Sequence, residues 1–195
     1  MHWWLFTLGD LEPAPDYVRA ELKWYLEGSK KDLSICDHAS IWKDCVDENQ
    51  EIQSNYGYYV HTQFNSIVEE LATDGASRRA VCNINNAEHL YPAAPDVPCT
   101  IAMQFLIRND YLHLIVTMRS QDAVYGLRND IPAFQMFKLI LANELGVKPS
   151  TLYINVGSLH VYEKHWDKIK TTTEASAKWQ GFSSMREFNR WLDQA

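Results

Sequence analysis

The sequence predicts an α+β fold, in which a mixed β-sheet is flanked by helices. Amphipathic segments of helical periodicity alternate with short apolar runs typical of strands, and two neighbouring runs form an antiparallel hairpin. The 195 residues contain no internal repeat, low-complexity stretch or linker. We therefore predict a single domain over residues 1–195, long enough to bury a substantial core.

Most predicted helices have apolar residues at helical spacing and a capping residue. They are residues 16–27, 63–73, 131–145 and 163–170, and a last segment that follows a capping box at residues 184–187. The third of these begins at Asn129 or Asp130, with Pro132 in its first turn and Gly146 at its end.

The predicted strands are apolar runs bounded by turn residues. They are residues 80–85, 101–108, 111–118 and 152–156. Asn109 and Asp110 form the turn of the hairpin between the second and third strands. His160 and Tyr162 follow the last strand, and their spacing of two places them on one face.

Composition limits the class of partner. The formal net charge is −7 at pH 7, so no nucleic-acid polymer is expected, whereas an anionic mononucleotide needs only a local arginine cluster. The four cysteines lack paired metal-type spacing, so we expect no metal and a reducing, cytoplasmic location, which for a viral protein is the host cytoplasm. Residues 3–6 are apolar but far too short for a membrane span.

A polar connection at residues 118–130 links a predicted strand to a predicted helix. It carries Arg119, Ser120, Asp122, Gly126 and Asp130. Alone, it is typical of a solvated loop that ends in a helix cap. Three other motifs change that interpretation. They are Ser-Arg-Arg at 77–79, Val-Pro-Cys-Thr at 97–100 and Asn-Val-Gly-Ser-Leu-His-Val-Tyr at 155–162.

With these motifs in this order, the chain resembles the thymidylate synthase family from about Glu21 to His165. The motifs at 126–130 and 155–162 are most similar to its phage deoxycytidylate hydroxymethylases. The resemblance implies a mixed sheet packed back to back in a homodimer, with 5,10-methylenetetrahydrofolate as cofactor. It also implies that Arg78 and Arg79 cross the dimer interface to the partner's nucleotide phosphate, a role that suits the guanidinium fork.

The resemblance implies a role for each further site residue. Glu21 and Tyr56 would lie beside the pyrimidine, where Glu21 organises water and proton transfer. Trp42 would line the folate pocket. Asp122 and Gly126 would lie on the folate side. Arg119 and Ser120 would contact the nucleotide phosphate, and His160 and Tyr162 the sugar 3′-hydroxyl. Further substrate contacts would come from Asp122, Asn129 and Asp130. Most of these residues also have a structural alternative, as core, turn or rim residues.

Cys99 is the candidate nucleophile, because a thiolate that adds to C6 of cytosine makes C5 nucleophilic. A buried structural thiol is the alternative. We expect Arg119 to lower the pKa of the Cys99 thiol. Asp130 stands where thymidylate synthases carry asparagine. A carboxyl group that shares one proton with N3 and accepts from N4 matches cytosine, so Asp130 predicts dCMP as substrate, unless it is only a helix cap.

The expected product is 5-hydroxymethyl-dCMP, with 5-methylation of dCMP or CMP as the alternative. Asp96 could hold a water for hydroxymethylation or simply point to solvent, whereas Trp42 could shield the reacting carbon for methylation. A non-catalytic nucleotide-binding protein is a remote alternative, because two features depart from the family. The chain reaches Glu21 too early for the family's N-terminal arginine loop, with Arg19 as its only early arginine, and its last residues do not match the family's apolar tail.

Overall fold

The computed structural model describes residues 4–8, 15–89, 94–167, 175–180 and 184–193, which contain eight strands and four α-helices. The strands are β1 (Trp4–Leu8), β2 (Val81–Asn83), β3 (Thr100–Arg108), β4 (Tyr111–Met118), β5 (Gln121–Asp122), β6 (Lys148–Val156), β7 (Leu159–His160) and β8 (Ala175–Gln180). The helices are α1 (Pro15–Glu27), α2 (Tyr56–Thr73), α3 (Gly126–Glu144) and α4 (Met185–Leu192). Short 3₁₀ helices occupy Ser34–Asp37, Ser40–Cys45, Ala87–His89 and Glu163–His165.

The central sheet has the strand order β2-β3-β4-β6. β2, β3 and β4 pair antiparallel and β6 pairs parallel to β4, so the predicted mixed sheet is confirmed. α3 lies in the crossover that this parallel pair requires. The hairpin turn is also confirmed, since Asn109 and Asp110 have φ angles of 52° and 64°, as in a two-residue turn with both central residues left-handed.

The helices bury one face of the central sheet. Phe105 and Leu114 point into this core, where they are 2% and 0% exposed. Neighbouring positions on a strand point to the opposite face. That face carries half-buried Leu106 and Ile115, and Tyr153, which is 50% exposed. Large apolar side chains are therefore accessible on the outer face of the sheet within one chain.

α2 begins at Tyr56 and not at residue 63 as predicted. Asn55 caps it, because the Asn55 Oδ1 accepts a hydrogen bond from the backbone N–H of Tyr58 at 3.1 Å. The prediction missed this asparagine as a helix start. Tyr56 consequently lies in the first turn of a helix, where its side chain is buried.

The contact between α1 and α2 fixes where that first turn lies. The Asn55 Nδ2 donates to the carbonyls of Trp24 at 3.2 Å and Ser29 at 3.1 Å, at the end of α1. A Cβ at Gly57 would lie 1.7 Å from the carbonyl oxygen of Tyr25. Only glycine therefore allows the two backbones to approach this closely.

α3 begins at Gly126, earlier than the predicted residue 129 or 130. The carboxylate of Asp122 accepts hydrogen bonds from the backbone N–H groups of Val124 at 2.9 Å and Tyr125 at 3.3 Å, which turns the chain into the helix. Pro132 lies inside α3 and not in its first turn, so that part of the prediction is wrong. Pro132 has no N–H to contribute to the helix at that position.

Other boundaries differ less. β2 is shorter than predicted, and β6 begins at Lys148 and not at residue 152. The N-cap at Ser184 in the predicted capping box is confirmed, since Ser184 Oγ accepts from Glu187 N at 3.2 Å. The predicted helix at 163–170 starts with the 3₁₀ helix, and its residues 168–170 lie outside the described residues.

β1 and β8 pair antiparallel in a separate two-stranded sheet, which joins the first and last parts of the chain. The sequence did not predict this pairing, because it depends on a contact between distant segments. Among the described residues, none of the helices combines the length and the apolar character needed to span a lipid bilayer.

Candidate active site

Strand pairing brings two polar motifs together at one end of the central sheet. β5 pairs parallel with β7 just beyond the parallel pair of β4 and β6. The backbone N–H groups of Gln121 and Ala123 donate to the carbonyls of Ser158 and His160, both at 2.9 Å. The 118–130 connection and the 155–162 motif therefore form one continuous surface.

Cys99 lies directly before β3 and is half-buried. The backbone N–H of Arg119 donates to the carbonyl of Cys99 at 2.9 Å. The Arg119 guanidinium donates to the carbonyls of Val97 at 2.6 Å and Pro98 at 3.1 Å. Arg119 thus holds the loop that carries the thiol, a role that the sequence did not predict.

Arg119 lowers the pKa of the Cys99 thiol, as expected, but the net shift is upward. Burial raises the pKa of the Cys99 thiol; the charge of Arg119 lowers it, but Asp130 and Asp96 raise it further. Solvent screens the exposed guanidinium, so one arginine does not outweigh burial and two carboxylates. The resting side chain is consequently a thiol at neutral pH.

The carboxyl groups of buried Glu21 and half-buried Asp130 lie close enough to influence each other. Burial raises the pKa of Glu21 to about 8, the charge of Asp130 raises it as well, and a hydrogen bond from Tyr17 opposes the rise. Burial raises the pKa of Asp130 to about 6, opposed by a hydrogen bond from Gln121. Near pH 7, Glu21 is therefore mostly protonated and Asp130 mostly ionised, a division typical of an acid and a base in one site.

Tyr56 lies within electrostatic range of Asp130 and of the Cys99 thiol. It is 5% exposed and its ring stacks on Tyr25, with centroids 5.4 Å apart. Burial raises the pKa of the Tyr56 phenol, as do the charges of Asp130 and Cys99, whereas hydrogen bonding to Thr100 lowers it. Tyr56 is therefore a neutral hydroxyl within electrostatic range of Cys99 and Asp130, as its predicted place beside the site implies.

Asp130 lies within α3, so the alternative that it is only the helix cap is wrong. Its Oδ2 accepts a hydrogen bond from Gln121 Nε2 at 2.8 Å. A Cβ at Gly126 would lie 2.4 Å from the Gln121 Oε1, so Gly126 makes room for the side chain that orients Asp130. Close packing against Gln121 therefore explains why glycine stands at position 126, in addition to its predicted folate-side role.

Glu21 belongs to a chain of three hydrogen-bonded side chains. The Tyr17 hydroxyl donates to Glu21 Oε1 at 2.8 Å and accepts from Trp42 Nε1 at 2.9 Å. Trp42 is half-buried and packs against Trp24, with ring centroids 5.1 Å apart. Glu21 Oε2 is buried without a hydrogen-bond partner among the described residues. Among the described residues, one oxygen of the Glu21 carboxyl group therefore accepts a hydrogen bond and the other does not.

Asp96 does not point to solvent, which was the structural alternative for it. It is 8% exposed, and its two oxygens accept from the backbone N–H and the hydroxyl of Ser54, each at 2.6 Å. Burial raises the pKa of Asp96, and these hydrogen bonds lower it. Asp96 therefore ties the loop before Cys99 to the segment before α2.

The predicted sugar-binding pair lies together. Tyr162 is just past the end of β7 and not within the strand, yet its ring contacts His160 edge to face with centroids 4.9 Å apart. His160 Nδ1 lies 3.3 Å from the carbonyl of Ser158. Ser120 and Asn129, both in the 118–130 connection, are half-buried, and Asn129 Oδ1 has no hydrogen-bond partner among the described residues.

The arginines predicted to reach a partner subunit have other surroundings within one chain. Arg79 forms an ion pair with Glu70, with Nε–Oε1 at 3.0 Å and Nη2–Oε2 at 3.1 Å. Arg78 is exposed, and its carbonyl accepts from Gln104 Nε2 at 2.8 Å. The structure contains one chain, so the shared site stays a prediction.

Arg19, the only early arginine, is not placed as a phosphate ligand. Its guanidinium donates to Asp16 at 3.1 Å and to the carbonyl of Trp191 at 3.2 Å, and it lies 4.7 Å from the centroid of the Trp191 ring. Arg19 therefore fastens α4 to α1.

Sequence reasoning missed three residues that shape the site. Tyr17 precedes Glu21 by four positions on a predicted helix, so helical spacing alone could have found that contact. Ser54 carries no such local signal, because Asp96 lies 42 residues away, and the nine-residue separation of Gln121 and Asp130 matches no helical or strand spacing across the turn into α3.

The fold and the site together define an α+β enzyme with a half-buried cysteine directly before a strand, within electrostatic range of the Asp130 carboxyl group. A family model described as thymidylate synthase matches residues 13–185. The chain therefore belongs to the thymidylate synthase family, which transfers a one-carbon unit to a pyrimidine nucleotide.

Among curated relatives, deoxycytidylate 5-hydroxymethyltransferase of Enterobacteria phage T4 is 32% identical over 172 residues, covering 77% of this chain and 68% of the relative. The protein of the same name from phage T6 is 31% identical with the same coverage. Thymidylate synthase of Coxiella burnetii is 26% identical over 162 residues, covering 77% of this chain and 61% of that relative.

Proposed function

We propose that this chain transfers a one-carbon unit from 5,10-methylenetetrahydrofolate to C5 of dCMP and gives 5-hydroxymethyl-dCMP. The observation that carries the proposal is Asp130, a carboxyl group with a pKa of about 6 that lies within electrostatic range of Cys99 and Tyr56. The 32% identity to a phage deoxycytidylate 5-hydroxymethyltransferase supports the same substrate and product.

Cys99 is the nucleophile in this proposal. Its sulfur adds to C6 of cytosine, and C5 then forms a bond to the transferred carbon. Because burial keeps the resting group a thiol, the proton must leave as the substrate binds. Arg119 assists in two ways, since its charge favours the thiolate and its hydrogen bonds hold the Val97–Pro98 carbonyls before the nucleophile.

Asp130 selects the base. Gln121 occupies Oδ2, so the opposite oxygen is the one that can share a proton with N3 of cytosine. Sharing that proton would also make C6 more electrophilic. Uracil matches this pairing poorly, because it presents the acceptor O4 where cytosine presents the N4 amino donor, and an acceptor left against a carboxylate in the site is costly.

Trp42 would hold the folate, with its indole N–H fixed by Tyr17 and its ring partly accessible. The folate supplies the methylene carbon. Tyr56 and Glu21 would then manage protons at the pyrimidine, because both are buried and uncharged near pH 7. Ser120, Asp122, Asn129, His160 and Tyr162 complete the proposed nucleotide and folate contacts.

Addition of water at the exocyclic carbon distinguishes hydroxymethylation from methylation. Both Asp96 oxygens accept from Ser54, so Asp96 is a poor choice to hold that water. Glu21 Oε2 is the better candidate, because it is buried and has no hydrogen-bond partner among the described residues. Once the Cys99 sulfur had bonded to C6 and the one-carbon unit to C5, the C5 proton would pass to a base of the site and the folate would leave. The hydroxyl of the water would then bond to the exocyclic carbon, and the bond between C6 and the Cys99 sulfur would break.

A homodimer is part of the proposal. The outer face of the central sheet presents Leu106, Ile115 and Tyr153, which suits packing against a second copy. Arg78 and Arg79 would then reach the partner's phosphate, with Arg79 exchanging Glu70 for it. Mixing Arg78→Ala and Cys99→Ala proteins should restore activity through hybrid dimers, and failure to complement after proven subunit exchange would count against shared sites.

The decisive experiment is tritium release from dCMP labelled at C5, with folate present. We expect release by the wild type and by Cys36→Ala, a control thiol on a 3₁₀ helix, but not by Cys99→Ala. Undiminished release by Cys99→Ala would refute the proposed nucleophile. Mass spectrometry identifies the product: 5-methyl-dCMP would favour the methyltransferase alternative, and dCMP binding without turnover would favour a non-catalytic protein.

A further inference from the structure

We propose that Tyr17 is a positioning residue that keeps the proton of Glu21 on Oε2 and connects Glu21 to Trp42. The catalytic role of Tyr17 rests on the proposed function, but its hydrogen bonds to Glu21 and Trp42 do not depend on a substrate. Tyr17 was not among the site residues suggested by the sequence motifs. It enters the site only through its hydrogen bonds in the folded chain.

The direction of the hydrogen bonds follows from the chemistry of the three groups. The Trp42 indole N–H can only donate, so the Tyr17 oxygen must accept it. The single Tyr17 hydroxyl proton is then free to point at Glu21 Oε1, 2.8 Å away. Burial raises the pKa of the Tyr17 phenol, so this proton stays on tyrosine over the working pH range.

This arrangement makes the two oxygens of Glu21 unequal. Oε1 accepts from Tyr17 and is a poor place for the carboxyl proton. Oε2 is buried and has no hydrogen-bond partner among the described residues, so it carries the proton when Glu21 is neutral. That proton is therefore presented away from Tyr17, where a water or the pyrimidine can receive it.

The same chain makes Glu21 sensitive to Trp42. A donor that binds the Tyr17 oxygen polarises its hydroxyl and strengthens the hydrogen bond that the hydroxyl gives to Glu21. A ligand that moves the Trp42 indole would weaken that support and change the ionisation of Glu21. Binding of a ligand against the Trp42 ring is thus coupled to protonation of Glu21 through the Tyr17 hydroxyl.

The first test needs no substrate. Glutamate labelled with carbon-13 at the side-chain carboxyl allows the Glu21 signal to be followed against pH, with Glu21→Gln used for its assignment. We expect a wild-type midpoint of about 8. Tyr17→Phe should raise it by roughly one pH unit, because it removes a hydrogen bond that favours the carboxylate. Trp42→Phe, which keeps the Tyr17–Glu21 contact, should raise it by less.

An unchanged midpoint in Tyr17→Phe, or a shift in Trp42→Phe as large as in Tyr17→Phe, would overturn the inference. Thermal unfolding of each variant shows whether the fold is retained, and Tyr17→His offers a second variant with a hydrogen-bonding group. Absence of turnover in the wild type would refute the proposed function without touching this result. Where turnover occurs, the pH profile of kcat/KM should move with the midpoint in Tyr17→Phe, whereas a merely structural loss would lower kcat/KM equally at every pH.

Discussion

Replacement of Gln121 by leucine should change the ionisation of Asp130 in a defined direction. Gln121 is 3% exposed, and its Nε2 donates to Asp130 Oδ2 at 2.8 Å. Leucine has a similar volume and offers no donor. The carboxylate would remain in the same buried surroundings without the hydrogen bond that now favours its charge.

The size of the effect follows from that lost bond. A hydrogen bond to a charged group contributes about 1.5–3 kcal/mol, which corresponds to roughly one to two pKa units. The pKa of Asp130, now about 6, should therefore rise to roughly 7 or 8. The pKa of Glu21 should fall, because the charge of Asp130 is one of the causes that raise it. Opposite shifts in the two groups are the signature of this coupling.

The assay is a carbon-13 carboxyl titration of both groups, with Gln104→Leu as the control. Gln104 also donates one hydrogen bond, but to the carbonyl of Arg78. Stability gives a second readout. The folded pKa of Asp130 lies above its ordinary value of 3.8, so its favourable contribution is complete below about pH 4 and is lost as pH rises through the folded pKa. Gln121→Leu should therefore destabilise more at pH 8 than at pH 4. An unshifted Asp130, or two shifts in the same direction, would refute the reasoning.

Three further predictions follow from single contacts. Gly57→Ala should destabilise by about 3 kcal/mol or more in urea unfolding, because its Cβ would meet a backbone carbonyl at 1.7 Å, whereas Gly75→Ala, with its nearest atom at 3.9 Å, should be nearly neutral. Lys138→Met should raise the Tm more at pH 6 than at pH 9. Burial lowers the pKa of Lys138 to about 7, so the charged amine destabilises the folded state most below that pH. Equal gains in Tm at both pH values would contradict this prediction. Asp130→Asn should move the preference of the enzyme from dCMP toward dUMP in competition assays, and a retained dCMP preference would show that the base pairing argument is wrong.

Features that depend on neighbouring residues were predicted well. The hairpin at Asn109 and Asp110 and the cap at Ser184 follow from the conformations and side chains of a few adjacent residues. The start of α3 was predicted wrongly, because Asp122 turns the chain earlier than the later polar residues suggested. Asp122 and the polar residues at 129 and 130 are both local signals for a helix start. The pairing of β5 with β7 places Asp122 beside β7, which is consistent with the earlier start at Gly126.

The site shows the same division. The motifs identified Cys99, Glu21, Tyr56 and Asp130 as candidate groups, and the structure brings the first three within electrostatic range of Asp130. Their protonation could not be predicted from the motifs: Arg119 lowers the pKa of Cys99 as expected, but the net shift of that pKa is upward. Burial and the charges of sequence-distant carboxylates control that quantity, and neither is encoded in a local pattern.

By itself, the sequence determined which chemical groups are present, the family to which the chain belongs and the order of most secondary structure. Tertiary structure alone decided how those groups are partnered: Gln121 on Asp130, Tyr17 between Trp42 and Glu21, and Ser54 on Asp96. Motifs can be identified from the order of the residues alone. Hydrogen-bond partners and pKa values exist only after folding, because they depend on which distant residues share a buried, poorly solvated space.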